Sequence, residues 1–426
     1  MKEARELTSN PDNNNIFKRL PLLESVSESY SLEERRPFTN YKILVTQHLL
    51  GSTASLISMF ERGGAKPEDI HIVGKAYSSH PNVVDGLSKR GYKISERVFD
   101  YEEDKPYDST LEENIKTAVD NIVEETDFEN DNYKGLLIDD GGKAIKMLHE
   151  SYPGLIKHFV CIEQTSRGAR ALQNVELLTP VINVARSEAK TIHESPLIAH
   201  SMVTEFMSSL KRWQDIIQLH DNRVFLLGYG FIGENVQQEL SEQGFDISVY
   251  DPDPDKMKRA QAQNLPVVSN RSEAYPASQI IIGCTGNPSI PLEEFNDVRP
   301  GSLLVNMAST DTEFSAWELR KKGKVVHEHT LLSDRHRFSS SSSSPLPWRS
   351  LYRVEEGNTY FYLANGGFPI DFSGSIDPIP PDKIQLTRAL LLGAAIQAVD
   401  THEQGLVDLD KSMQDDVVRK YLQLQK

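Results

Sequence analysis

The apolar run Arg223-Val224-Phe225-Leu226-Leu227 leads directly into Gly228-Tyr229-Gly230-Phe231-Ile232-Gly233, and helical spacing of Ile232, Val236 and Leu240 follows. Strand, tight turn and helix in that order leave free N–H groups at a helix start, a ready arrangement for holding phosphate. Each glycine has a task there: unusual turn angles, approach of a pyrophosphate to bare backbone, and close packing of helix on strand. Asp251 closes the next apolar strand, 246–250, where a carboxylate accepts hydrogen bonds from a ribose diol. An acid at that strand end repels a 2′-phosphate, so the pattern predicts NAD rather than NADP.

A second set of reactive side chains follows short apolar strands. The runs 135–138 and 159–162 stop at Asp139-Asp140-Gly141-Gly142 and Glu163-Gln164-Thr165-Ser166, and 181–184 leads on to Lys190. In open α/β sheets, ligands bind beyond the carboxyl ends of the strands, although acids also cap helices at such positions. For Asp139, capping and catalysis are equally open. Cys284-Thr285-Gly286 and Asn306-Met307 end two further strands and are placed to meet the nicotinamide side. For His48, at the start of an apolar helix, a cap-region or core histidine and a functional one are equally open. His327, His329 and His336 lack carboxylates at ligand spacing and are read as surface residues, with no metal site.

These residues need a scaffold, and the chain of 426 residues exceeds what one core usually serves, so two domains are expected. From residue 41 onward the pattern alternates: strands at 42–46, 70–74 and 92–94, helices at about 52–62 and 82–90. Such alternation implies a parallel sheet with helices on both faces. A helix over 111–123 reads as a solvated face, a long helix over 196–213 as the connection between domains, and strands 279–283, 302–306 and 324–327 complete a doubly wound second sheet. An apolar helix at 386–399 has too few polar positions for a solvent face and is expected to be buried against its own domain or in a contact between protomers. The amphipathic stretch 406–426 could serve as an arm exchanged between protomers, and a homo-oligomer is expected. The serine run 339–344 is assigned no role, and residues 1–15 are expected to be loose.

With 62 acids against 46 bases the formal charge is −16, which argues against nucleic-acid and anionic-membrane partners. Two cysteines, Cys161 and Cys284, sit in apolar runs and make neither a disulfide framework nor a metal site, which fits a cytoplasmic protein. No segment reaches the roughly 20 apolar residues of a membrane span.

Taken together, these stretches resemble the S-adenosylhomocysteine hydrolase family, from about residue 20 to about residue 399. The likeness is carried by Thr53-Ala54-x-Leu56-Ile57 after His48, Asp139-Asp140-Gly141-Gly142, Glu163-x-Thr165 with Gly168, and Ile182-Asn183-Val184 with Lys190. It continues through the glycine motif, Thr285-Gly286, Val305-Asn306, Tyr352-Arg353 and Leu363-Ala364-x-Gly366. The resemblance implies an α/β protein of two doubly wound domains, a substrate domain with a parallel sheet and an inserted Rossmann NAD-binding domain. The boundaries expected are 1–195 for the first part of the substrate domain, 196–372 for the NAD-binding domain, 373–405 for the return and 406–426 for the tail.

In that family NAD oxidises a ribose 3′-hydroxyl, the 5′ thioether is eliminated, water adds, and the hydride returns. The resemblance places Lys190 at the 3′-hydroxyl as proton carrier, with Glu194 as its acidic partner, and Asp140 and His48 near the proton-transfer centre. It assigns Glu163, Gln164 and Asp377 to substrate. Gly228, Gly230, Phe231, Ile232, Gly233, Asp251, Thr165, Ser166, Ser195, Thr285, Gly286 and Asn306 are assigned to cofactor. Several positions depart from the family pattern. Gln164 stands for a ribose-gripping glutamate, Glu194 for an aspartate, Ser195 for an asparagine, and Ser309 and Asp377 for histidines that manage the 5′ group. Leu50 and Ser52 fall where the family faces a purine, and the crossing C-terminal Lys and Tyr are not matched in spacing by Lys420 and Tyr421. The pattern predicts an NAD-dependent enzyme oxidising a secondary alcohol of a nucleoside or sugar-like small molecule, with the outcome changed from ordinary hydrolysis. Genuine thioether hydrolysis and a catalytically silent NAD-binding relative are the alternatives.

Overall fold

The computed structural model describes residues 16–329 and 346–425. Two expectations, the loose N-terminus before residue 16 and the serine run at 339–344, lie outside the described residues, as does His336. The described chain divides into two compact units, one built from 16–100, 111–194 and 379–425, the other from 101–110, 195–329 and 346–378. Among the described residues no helix is long and apolar enough to cross a membrane.

The first unit is organised by an all-parallel sheet of seven strands in the order β14-β6-β5-β4-β1-β2-β3. Its strands are β1 (Tyr41–Gln47), β2 (Ile70–Gly74), β3 (Lys93–Ile94), β4 (Lys134–Asp139), β5 (Phe159–Glu163), β6 (Pro180–Asn183) and β14 (Gly405–Asp408). Strands buried on both faces should read as continuous apolar runs rather than alternating ones, and Leu136, Leu137 and Ile138 of β4 are all fully buried. The chain starts in the middle at β1, builds outward through β2 and β3, then returns to the other side of β1 with β4. The topological switch point therefore lies between β1 and β4, whose carboxyl ends deliver His48 and Asp139-Asp140.

The helix Pro381–Asp400 is buried on all faces from Ile384 to Ile396, packed on the helices Pro21–Ser29 and Gly51–Arg62 and on β5 and β6. Of the two burials open to it, the one within its own unit is found. The tail departs from the expected exchange arm. Gly405–Asp408 pairs in parallel with β6, Leu406 opposite Val181, and the helix Lys411–Leu424 packs back so closely that a Cβ on Gly393 would lie 2.1 Å from Met413 Sδ. Lys420 bonds Ser29 Oγ at 2.6 Å, and Tyr421 is buried beside His193. Apolar faces at Met413, Val417 and Tyr421 are covered within the unit. The return to the first unit comes at residue 379 rather than 373, and 101–110 join the second unit.

The second unit has the sheet order β11-β12-β13-β10-β9-β7-β8. Five strands are parallel: β7 (Arg223–Leu227), β8 (Asp246–Tyr250), β9 (Ile280–Gly283), β10 (Ser302–Asn306) and β13 (Thr359–Leu363). The remaining two, β11 (Gly323–Glu328) and β12 (Ser350–Glu356), add an antiparallel edge. The run at 324–327 thus joins the sheet through β12, a strand the sequence pattern did not mark. Here the order reverses between β7 and β9, so the glycine turn after β7 and Cys284-Thr285-Gly286 after β9 flank the switch point. Val224, Leu226, Ile280, Ile282, Leu303 and Val305 form one face of the core together with Phe206 and Trp213 of the helix Ser195–Trp213.

Candidate active site

Four neighbouring strands of the first unit end in polar side chains that meet. His48 follows β1, Lys75 follows β2, Asp140 follows β4 and Gln164 follows β5. Asp140 is the hub. Its Oδ1 lies 2.6 Å from Lys75 Nζ, and its Oδ2 accepts from Gln164 Nε2 at 2.5 Å and lies 3.5 Å from His48 Nε2. Gln164 Oε1 in turn accepts from Gln47 Nε2 at 3.0 Å. Lys190, on the short helix Glu188–His193, donates from Nζ to the Gln164 carbonyl and lies 3.5 Å from Glu194. The structure therefore brings together Lys190, Glu194, Asp140, His48 and Gln164.

Charge follows from this geometry. Burial pushes the Asp140 carboxyl up, but the Lys75 ammonium at contact distance, with Lys190 further off, outweighs it and holds the group well below the usual carboxylate range. His48 is lowered to about 3, by burial first and then by Lys75, Arg388 and Lys190, against which Asp140 pulls the other way. At neutral pH the imidazole is uncharged and Asp140 is ionised. Asp140, expected near the proton-transfer centre, thus serves as a fixed acceptor.

Two sequence expectations change. Glu163 is fully buried and faces its own loop, accepting from Thr165 N and Oγ1, both at 2.6 Å, and from Gly141 N at 3.3 Å. A Cβ on Gly168 would lie 2.4 Å from that carboxyl, so Glu163, expected at substrate, organises the turn, and Thr165, expected at the cofactor, is bonded to it. Burial drives Glu163 well above the usual carboxylate range, and the Asp139 charge adds to the rise. Asp139 resolves to capping: its Oδ2 accepts from Ala144 N at 2.8 Å and Ile145 N at 3.0 Å at the start of the helix Lys143–Ser151.

In the second unit the glycine turn is built from main chain. Gly228 has φ +96°, and a Cβ there would lie 2.9 Å from the Cys284 backbone. Gly233 is tighter still, its added Cβ falling 2.0 Å from Gly228 O, while Gly230 opens onto free space. That opening, at the N-terminus of the helix Phe231–Glu242, is the cradle a pyrophosphate requires. Phe231 is exposed beside it, and Ile232 packs into the core. Asp251 is buried at the end of β8, accepting from Tyr229 N at 2.8 Å and Asp253 N at 2.9 Å, with Lys256 Nζ 3.1 Å away. The residues present fit a dinucleotide.

Thr285 and Gly286 are held by Glu313, which accepts from Gly286 N at 2.8 Å and from Thr285 N and Oγ1. Asn306 is fully buried, donating to Thr310 O at 2.6 Å and Gly367 O at 2.7 Å and accepting from Ala308 N. It fixes its own loop, where cofactor contact was expected. Ser195 begins the helix Ser195–Trp213, Ser166 is exposed at the start of its helix in the first unit, and Asp377 lies near the end of the second unit with Ser375 Oγ donating to its carbonyl. Sequence reasoning missed Lys75, Gln47 and Glu313. Lys75 follows β2 directly, so the strand-end rule applied to 135–162 would have found it.

A doubly wound parallel sheet with a glycine-lined, acid-closed switch point defines the second unit as a Rossmann NAD-binding unit, and the chain as an NAD-binding α/β protein. Residues 199–344 match the family model for the NAD-binding domain of S-adenosyl-L-homocysteine hydrolase. Over most of its length the chain is distantly similar to S-adenosylhomocysteine hydrolases. It is 28% identical, over 90% of its length and 69% of the relative's, to an uncharacterised protein of Mycobacterium tuberculosis. It is 23% identical to an adenosylhomocysteinase of Pyrococcus abyssi, over 91% of this chain and 83% of that one. An S-inosyl-L-homocysteine hydrolase of Methanopyrus kandleri matches at 23% over 83% and 77%. Among solved structures, a phosphoglycerate oxidoreductase of Vibrio cholerae aligns with TM-score 0.35 and 11% identity, over 63% of this chain and 75% of that one.

Proposed function

We propose that this protein is an NAD-dependent enzyme that oxidises a secondary alcohol of a nucleoside or sugar-like substrate, with an outcome other than ordinary adenosylhomocysteine hydrolysis. The observation that carries the reading is Lys190, its Nζ held between the Gln164 carbonyl and Glu194 and next to the Asp140–His48 pair. The glycine turn and Asp251 would hold NAD, which would supply an acceptor for the hydride leaving the alcohol carbon. Lys190, as the neutral amine in turnover, takes the hydroxyl proton at Nζ and later returns it, with the Glu194 carboxylate offsetting the charge of the ammonium so formed. Asp140, ionised beside Lys75, accepts hydrogen bonds without exchanging a proton near neutral pH.

The altered outcome rests on Gln164 and Ser309. Gln164 donates to Asp140 and accepts from Gln47, so the side chain at the expected ribose-gripping position is committed within the protein. Ser309 has no group that titrates near neutral pH and so cannot shuttle protons to a 5′ water as an imidazole would.

The test is to load the protein with NAD and offer a panel of nucleosides, sugars and polyols. Some member should produce NADH absorbance, and Lys190→Ala should lower that rate by about 100-fold or more while keeping the cofactor. Silence across the panel with cofactor bound would leave a binding role only. Release of homocysteine from the thioether would instead show genuine hydrolysis.

A further inference from the structure

Lys75 has no part in the reading above beyond neutralising Asp140, yet it is the most buried cation of the cluster, its side chain 4% exposed. Burying an ammonium is costly unless a partner meets it, and here a single carboxylate does so at 2.6 Å. The same carboxylate offers its other oxygen to His48. The opposite ring nitrogen, Nδ1, lies 2.6 Å from Ser78 Oγ. Ser78 has one proton to give, and the alternative acceptor, the Lys75 carbonyl, is further away at 3.3 Å. An ionised Asp140 can only accept, so the ring proton sits on Nε2, facing it, and Nδ1 is the acceptor for the Ser78 hydroxyl.

We propose that Lys75 is a positioning residue of this site, clamping Asp140 as a permanent acceptor beside His48 and so fixing the tautomer and orientation of the imidazole, with Lys190 left to carry protons. The inference rests on the proposed alcohol chemistry for its purpose, but not for its geometry. Every element packed around the pair contributes to its charge balance. Lys75 follows β2, Asp139 and Asp140 end β4, Glu163 and Gln164 end β5, Lys190 lies on the helix Glu188–His193, and Arg388 on Pro381–Asp400. The Tyr77 ring stands edge-on to the imidazole at 5.9 Å. Three of these cations, Lys75, Arg388 and Lys190, disfavour a charged imidazole, and Lys75 acts most strongly. Lys75 thus holds both members in the states the hydrogen bonds require: Asp140 charged, His48 neutral.

Histidine-labelled full-length protein, with His48→Gln to assign the resonance, tests this by NMR. In the wild type the His48 imidazole should be uncharged with its proton on Nε2 throughout pH 5 to 8. In Lys75→Met it should titrate higher by about one unit or more, while Lys75→Arg keeps the wild-type pattern. A wild-type His48 that titrates in the ordinary range, or a folded Lys75→Met with unchanged tautomer and titration, overturns the proposal. Should Lys75→Met fail to fold, the wild-type spectrum still decides. The double variant Lys75→Met, Asp140→Asn, which leaves no buried unpaired charge, should then fold and lose the fixed Nε2–H tautomer; its retention overturns the proposal. None of these readouts needs turnover, so a protein inactive toward every alcohol but showing the fixed tautomer removes the functional reading and keeps this one. With an active substrate, the acid limb of the pH–rate profile should move upward in Lys75→Met and be restored in Lys75→Arg.

Discussion

The two units place polar groups at the same topological feature, the switch point of a doubly wound sheet, yet build it from different material. In the first unit the switch point is made of side chains: His48, Lys75, Asp140, Gln164 and Lys190 come from five separate elements and satisfy one another. In the second it is made of main chain: glycines at 228, 230 and 233, with the N–H groups of Tyr229, Thr285 and Gly286 satisfied by the acids Asp251 and Glu313. Acids show the contrast most clearly. Asp140 is buried beside an ammonium and stays ionised, whereas Glu313, buried among N–H donors without a cation, is pushed up to about 7. Hydrogen bonds to N–H groups lower a carboxyl's pKa, but against full burial they do not replace a counter-charge. A main-chain site holds its shape without matched charges; a side-chain site stands or falls with its pairs.

The sharpest way to break the main-chain site is to add one carbon. Gly233→Ala places a Cβ 2.0 Å from the Gly228 carbonyl oxygen, where only backbone movement relieves the clash. We expect a loss of more than about 4 kcal/mol of stability, read by thermal unfolding, and no retained NAD. Next comes the side-chain site. Lys75→Met strands a buried carboxylate and should cost about 3–5 kcal/mol, whereas Lys75→Met combined with Asp140→Asn should recover most of that loss in a double-mutant cycle. Equal losses in the single and the double variant would mean that Lys75 contributes through packing alone.

This contrast also explains what could be read from the chain beforehand. The second unit's site was legible because backbone constraints leave local marks: glycines at fixed spacing, an acid at the next strand end. Strand positions followed from apolar runs for the same reason, and β2 and β10 coincide with their expected ranges. The side-chain site was only partly legible. His48 and Lys190 are 142 residues apart in the chain, and nothing local states that Lys75 meets Asp140 across 65 residues. Glu163 and Asn306 were misread because a polar residue at a strand end looks the same whether it faces a ligand or its own turn. β12 escaped notice because it belongs to an antiparallel edge in a stretch otherwise read as parallel.

Glu313 sharpens the comparison through pH. Its carboxyl titrates near 4.5 when unfolded and about 7 when folded, so between those values the native state keeps a proton that the unfolded chain has released. Stability from this group is full below pH 4.5 and falls as pH rises to 7, by about 3 kcal/mol. Asp140 has the opposite sign: its carboxyl is depressed from 3.8, so its contribution is present above that value and lost on acidification. Glu313→Gln should remove the fall between pH 5 and 7 in urea unfolding, at a constant cost of about 1–3 kcal/mol because an amide NH₂ now meets the N–H donors of Thr285 and Gly286. An unchanged slope in the variant would show that Glu313 is ionised in the folded state throughout.

The smallest expected effect lies where the two building styles mix. Asp251 is a main-chain acceptor, bonded to Tyr229 N and Asp253 N, yet it also pairs with Lys256, whose side chain is 30% exposed. Because solvent reaches the lysine, Lys256→Ala should change stability by less than about 1 kcal/mol. Cofactor choice is the more sensitive readout. Lys256 is the one cation within salt-bridge distance of Asp251 among the described residues, and it partly offsets the charge that repels a 2′-phosphate. Removing it should leave NAD binding within a few-fold, since Asp251 keeps both main-chain bonds, and weaken NADP binding further, by about ten-fold. Calorimetric titration of each dinucleotide into the two proteins reads the ratio. If NAD weakened as much as NADP, Lys256 would be holding Asp251 in place, and this corner of the second unit would belong with the paired, side-chain construction of the first.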